Sequence, residues 1–136
     1  MSFLDRLQPL ALLFLRLALG TVMIAHGWQK IAGHMHGIMG ILGHLGIPPW
    51  MGYLVVAAEF GGGILIVLGL LTRFAAFAIL IDMLVAIFKV HLHNGLFVNK
   101  NGFEFPMACA AIAFSLIFFG AGPISFDWLR GSKSAR

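Results

Sequence analysis

Four apolar stretches, each close to the length that crosses a lipid bilayer, leave this chain very few folds. They run from about Pro9 to Lys30, Trp50 to Leu71, Phe74 to Val90 and Pro106 to Gly122. A hydrocarbon core of about 30 Å needs roughly 20 apolar residues at 1.5 Å of helical rise each. The expected fold is an all-α integral membrane protein, an antiparallel four-transmembrane-helix bundle, with residues 1–136 as a single domain. Composition agrees: 60% of residues are hydrophobic and 10% charged, with a mean hydropathy of +0.97, outside the range of soluble domains. The first stretch does not read as a signal peptide. It follows only Arg6, contains Arg16, and passes Gly20-Thr21 to reach His26 and Lys30 rather than a small-residue cleavage site. Pro9 and Pro106 suit the first turn of a helix, and Gly120-Ala121-Gly122-Pro123 is a stop signal for the last one.

Thr72-Arg73 leaves almost no loop between the second and third stretches, so those helices must form a tight antiparallel hairpin. Residues 31–49, rich in Gly and His, and residues 91–105 are the longer connections. Four spans put both connections on one side and both termini on the other. Arg6, Arg73, Arg130, Lys133 and Arg136 gather on the terminal side, against Lys30, Lys89 and Lys100 on the loop side. The bias favours cytoplasmic termini. These few, scattered cations exclude a nucleic-acid surface despite the net charge of +4. Cys109 is the single cysteine, so there is neither an internal disulfide nor a CxxC pair.

Ionisable residues inside the apolar stretches are the strongest functional signal. A charge at the bilayer centre costs at least about 2.5–3.5 kcal/mol on insertion scales, so such residues are paired, hydrated or functional. In the first stretch Arg16, Met23 and Lys30 recur every seven residues and share a face, with Gly20 and Gly27 beside them and His26 one turn before Lys30. In the third, Asp82, Lys89 and His93 form a second polar stripe. Glu59 and Asp82 are expected about 12–13 Å inside from the loop side, with Arg16 about 10 Å from the terminal side. The expectation is a nearly charge-balanced chain of Arg16, Asp82, Glu59, His26 and Lys30 in the bundle interior. Gly61-Gly62-Gly63 beside Glu59 suits close helix packing and invites a local helix distortion.

His34-x-His36 and His91-x-His93 have metal-ligand spacing, and His44 adds another loop-side imidazole. No Cys or acidic triad accompanies them at fixed spacing, which leaves His34, His36, His91 and His93 as weak metal candidates. A haem would require axial ligands such as His26 and His91 facing each other. The sequence holds no phosphate loop, nucleophile elbow or HExxH motif.

Taken in order, Arg16, His26-Gly27-Trp28-Gln29-Lys30, Glu59 with Gly61-Gly62-Gly63, Leu70-Leu71-Thr72-Arg73, Asp82-Met83, Val90-His91, Asn94-Gly95 and Phe103-Glu104-Phe105-Pro106 resemble the DoxX family of small bacterial inner-membrane proteins. The resemblance covers about Leu12 to Asp127. It implies a multi-pass protein of the bacterial inner membrane, with relatives linked to quinol oxidase systems, thiosulfate:quinone oxidation and thiol-redox partners. The family pattern carries over to Arg16, His26, Gln29, Lys30, Glu59, Arg73, Asp82, His91, Asn94, Glu104 and Pro106, and not to His34, His36 or His44.

The leading expectation is a membrane subunit of a redox system that engages a quinone or a small redox or sulfur substrate in an intramembrane polar cavity. His26, His91, Glu59 and Asp82 would handle protons. Arg16, Gln29, Lys30, Asn94 and Glu104 would bind substrate, with Arg16 and Lys30 stabilising developing negative charge. No flavin, haem or Fe–S motif is evident, so electrons would come from a partner protein. The alternatives are a transport or binding protein for a small anion or sulfur species, using a midplane site, and a non-catalytic assembly or scaffold protein whose polar network fixes helix order. The bilayer, a redox partner and a second copy of the chain are the expected partners.

Overall fold

The computed structural model describes residues 2–134. Arg136, one of the cations counted on the terminal side, lies outside them. After a single helical turn at Ser2–Asp5, helix α1 runs over Gln8–Ala32, and α2 over Met35–His44. Helix α3 spans Pro49–Leu68 and α4 spans Thr72–Asn94. Glu104–Phe119 forms α5 and Phe126–Ser134 forms α6. The fold is all-helical among the described residues. Helices α1, α3 and α4 are long and apolar enough to cross a membrane, and α5 is a shorter apolar helix. Helical backbone satisfies its own amides and carbonyls, which is what a lipid interior demands.

Small residues set the packing. Gly20 of α1 faces Gly63 of α3, where an added Cβ would lie 2.9 Å from the Gly63 carbonyl oxygen. At Gly27 it would lie 2.6 Å from the Phe60 backbone nitrogen. Residue numbers rise in α1 as they fall in α3, so the two helices are antiparallel and nearly touch along their backbones. Helix α4 packs against both α3 and α5. Leu19, Met23, Ile66, Ile79, Met83, Ala113 and Leu116 make the centre of the core. The large apolar residues of the outer faces, Phe14, Phe77, Phe88 and Phe118 among them, stay exposed, as lipid-facing positions would.

Three helix ends and one added helix differ from the sequence expectation. Helix α4 continues past Val90 to Asn94, through a π-helical segment at Ile87–His91 and a 3-10 turn. His91 and His93 therefore belong to the helix end and not to a loop. Helix α3 stops at Leu68 because Gly69 takes a left-handed conformation, φ 67°. Helix α5 stops at Phe119, before Gly120 at φ 72°, three residues short of Gly122. Within the connection 31–49 lies α2, an element the Gly and His content concealed. Its Met35, Ile38 and Met39 rest on Gly52 at the start of α3, and Leu42 is buried. The Gly61–Gly63 run does coincide with a distortion: α3 is π-helical over Ala57–Gly61, around Glu59.

Candidate functional site

The polar residues of the interior divide into two groups. On the loop-side half of the bundle, Lys30 Nζ of α1 donates to Glu59 Oε2 of α3 at 2.6 Å. Glu59 is 4% exposed. The π-helical turn at Ala57–Gly61 widens α3 locally around this residue, the kind of bulge that recurs at functional sites. Asp82 of α4 completes the cluster, its carboxyl near Glu59 and the Lys30 charge. One ammonium and two carboxyl groups from three helices thus lie together in a low-dielectric interior. Asp82 Oδ2 is buried and has no hydrogen-bond partner among the described residues.

Asp82 also faces a groove. A cavity of about 1210 Å³ runs between α3 and α4 and under the connection after α2. Small residues such as Ala57, Ala58, Gly61 and Ala78 form part of its wall. Its ionisable lining residues are Asp82 at mid-length and Lys89 nearer the loop side. This is an apolar slot, larger than most small-molecule pockets, with a carboxyl group set into its wall.

Arg16 belongs to a different assembly. Its guanidinium is 1% exposed and donates to four backbone carbonyls: Ile66 at 2.9 Å, Val67 at 2.8 Å, Ala121 at 2.9 Å and Ile124 at 2.6 Å. Ile66 and Val67 are in the last turn of α3, where carbonyls run short of intrahelical donors; Ile66 also accepts the Gly69 amide at 3.1 Å. Ile66 is seven residues from Glu59, so Arg16 sits ~10 Å along the axis from the Lys30–Glu59 pair. The expected continuous chain from Arg16 to Lys30 is thus divided. Asp127 is the opposite number of Arg16. Its carboxylate accepts from the Leu71 amide at 2.8 Å and the Thr72 amide at 2.9 Å, at the start of α4. Burial alone would raise this carboxyl, but the Thr72 and Leu71 amides, with Arg130 close by, outweigh it and hold it below the usual carboxylate range. A cation at one helix end and an anion at the next clasp the α3–α4 turn, each matching the local helix dipole.

The remaining sequence candidates lie at the loop-side end. His26 is half-buried and stacks on Phe105, ring centroids 5.2 Å apart. His91 Nδ1 lies 2.8 Å from the Asn101 carbonyl. A carbonyl only accepts, so Nδ1 carries a proton and donates it here. Asn94 Nδ2 donates to the same carbonyl at 3.1 Å and to Val90 at 3.3 Å. Glu104 Oε1 accepts the Val98 amide at 2.5 Å. His91, Asn94 and Glu104 thus order the 95–103 connection, while Gln29 is exposed. His34, at φ 66°, precedes α2, and His36 and His93 are exposed. Among the described residues no three His, Cys, Asp or Glu side chains come together as metal ligands, so the spacing of His34-x-His36 and His91-x-His93 does not converge on one centre. The sequence reading missed Asp127 and the groove. Ser125-Phe126-Asp127 was the available helix-start signal for the first; the second depends on helix spacing and had none.

Long apolar helices that share a closed charge cluster define a multi-helix membrane protein with a polar interior. The chain belongs to the DoxX family, whose model matches residues 11–92. It is 30% identical to inner membrane protein YqjF of Escherichia coli, over 94% of this chain and 98% of the relative. It is also 30% identical to a Bacillus subtilis protein named "Putative oxidoreductase CatD", over 90% of each chain. An uncharacterized protein of Haemophilus influenzae is 33% identical over 93% of this chain and 96% of its own length. No solved structure matches.

Proposed function

We propose that the protein is the membrane subunit of a redox system and that the Lys30–Glu59–Asp82 cluster receives the headgroup of a quinone whose apolar tail lies in the α3–α4 groove. The observation that carries this reading is the double position of Asp82. It is part of the buried charge cluster, it lines the groove, and its Oδ2 lacks a partner. A proton shared with Glu59 or a hydroxyl brought by a ligand would satisfy that oxygen. A quinol offers both a hydroxyl donor and an apolar body. The name of the Bacillus subtilis relative supports the redox class.

In this reading each residue has a defined task. A quinone takes up two electrons and two protons to become a quinol. Electrons come from a partner protein. Asp82 delivers a proton at the headgroup, and Glu59 refills it. Lys30 stays charged against the carboxyl pair and holds the headgroup oxygen as negative charge develops. His26, one helical turn from Lys30, relays protons from the loop side. We infer further that α1, α3, α4 and α5 cross the bacterial inner membrane as an antiparallel bundle with cytoplasmic termini. The supports are the apolar helices, the cation bias across the two sides and the name of the Escherichia coli relative.

The test is binding of a short-tailed quinol, whose hydroxyl the Asp82 carboxylate would accept, to the protein in lipid nanodiscs, followed by quenching of tryptophan fluorescence. Asp82→Asn keeps the shape but loses the charge, and one charge-assisted hydrogen bond corresponds to about a ten-fold loss of affinity. Equal affinities for the wild type and Asp82→Asn would overturn the proposal.

A further inference from the structure

At the opposite end of the molecule a second recess, of about 650 Å³, is bounded by the start of α4, the end of α5 and the start of α6. Its lining combines Arg73, Phe74, Phe119 and Trp128 with the backbone of Gly120 and Gly122. The Arg73 guanidinium lies over Gly120, where an added Cβ would be 3.4 Å from Nε. Arg73 is exposed and makes no ion pair or side-chain hydrogen bond among the described residues. This contrasts with Arg16, close by on the inner side, which spends its donors on four carbonyls. Asp127, the carboxylate in the recess, is already committed to the Leu71 and Thr72 amides. The cation there is therefore the free partner.

Depth and composition say what such a recess meets. Arg73 is in the first turn of α4, and Phe119 is the last residue of α5. The recess therefore lies where the apolar helices end, the level at which hydrocarbon gives way to headgroups. Phe74 is 70%, Phe119 72% and Trp128 53% exposed; Trp128 is the ring type that concentrates at that level, while the two Phe rings offer apolar surface just inside it. Helix α6 follows the same pattern, with Phe126 and Leu129 exposed and Arg130 close to Asp127. An exposed cation flanked by aromatic rings is complementary to a ligand with an anionic head and apolar chains.

We propose that this recess seats one anionic phospholipid, its phosphate on Arg73 and its acyl chains along Phe74 and Phe119, with α6 lying in the headgroup layer above it. The site is separate from the Lys30–Glu59–Asp82 cluster, and its occupant is a structural lipid and not the redox substrate. An anionic headgroup gains the attraction of Arg73, while a zwitterionic headgroup carries its own neutralising charge.

Native mass spectrometry of the protein released from mixed vesicles of phosphatidylglycerol and phosphatidylcholine tests this. The wild type is expected to retain one phosphatidylglycerol in preference to phosphatidylcholine. Arg73→Gln is expected to reduce that preference about five-fold, the weight of one interfacial cation. Arg73 makes no internal hydrogen bond, so the variant is expected to keep the wild-type Tm. Trp128→Ala supplies a second variant, which removes a wall of the recess and leaves the charge. Equal retention of the two lipids by the wild type, or unchanged preference in both variants, would overturn the proposal.

Discussion

Replacing Arg16 by Met removes the centre of the terminal-side clasp while keeping much of the side-chain volume. Four carbonyls, from Ile66, Val67, Ala121 and Ile124, then lose the guanidinium as donor, and Ile66 keeps the Gly69 amide. Interhelical hydrogen bonds in membrane proteins average only about 0.6 kcal/mol each, which puts a floor near roughly 2 kcal/mol. Bonds from a charged donor are worth about 1.5–3 kcal/mol, and the carbonyls lie in an apolar surrounding. Breaking a buried charged network costs about 3–5 kcal/mol, and we expect Arg16→Met to fall near 4 kcal/mol. Arg16→Lys should recover little of it. An ammonium is a point donor and cannot reach Ile66, Val67, Ala121 and Ile124 from one position as a planar fork does. Equilibrium unfolding in detergent, followed by circular dichroism, measures both variants. A loss below about 1 kcal/mol for Arg16→Met, or wild-type stability for Arg16→Lys, would refute the view that this residue is a structural clasp. Quinone affinity per folded molecule should stay at the wild-type value in either variant.

Lys30→Met strands the Glu59 charge in the interior and is expected to destabilise by about 3–5 kcal/mol, whereas Lys30→Met with Glu59→Gln should regain most of that loss; the same unfolding measurement, run as a double-mutant cycle, decides it. Asp127 gives a pH dependence of defined sign. Its folded-state carboxyl is held below the ordinary value, so it contributes stability above pH ~4 and loses it as pH falls through the lower folded value. Asp127→Asn should flatten this acid limb, and Asp127→Ala should cost about 1 kcal/mol near neutral pH, the usual cost of a lost helix cap.

The features legible in the sequence are the local ones. Hydropathy locates the long apolar helices to within a few residues, and the seven-residue recurrence puts Lys30 and Asp82 on polar stripes of their helices. Glycine spacing in α1 and α3 anticipated the close approach at Gly20 and Gly63. The division between Arg16 and the loop-side cluster was not legible. The partners of Arg16 are carbonyls, which every residue carries, and they become special only because α3 ends at Gly69. Helix α2 was concealed for a related reason. Gly37, Gly40 and Gly43 lower its intrinsic helix propensity, and contacts of Ile38 and Met39 with Gly52 outweigh that cost. The groove wall at Asp82 depends on how far two helices diverge, which no spacing encodes.

The clasp has a mechanical consequence. Arg16 and Asp127 grip the turn between α3 and α4 from either side, and Gly69 and Leu71 both hold left-handed φ values there, 67° and 49°. The two helices are thus arms fixed most firmly at this one pivot. Pro48 and Leu65, both on the groove wall, are about 25 Å apart along α3 at 1.5 Å per residue. Over that lever a rotation of about 5° at the turn moves the far tips by ~2 Å. Any widening of the slot is therefore felt most at its loop-side mouth, where α2 rests on Gly52, and least beside the clasp.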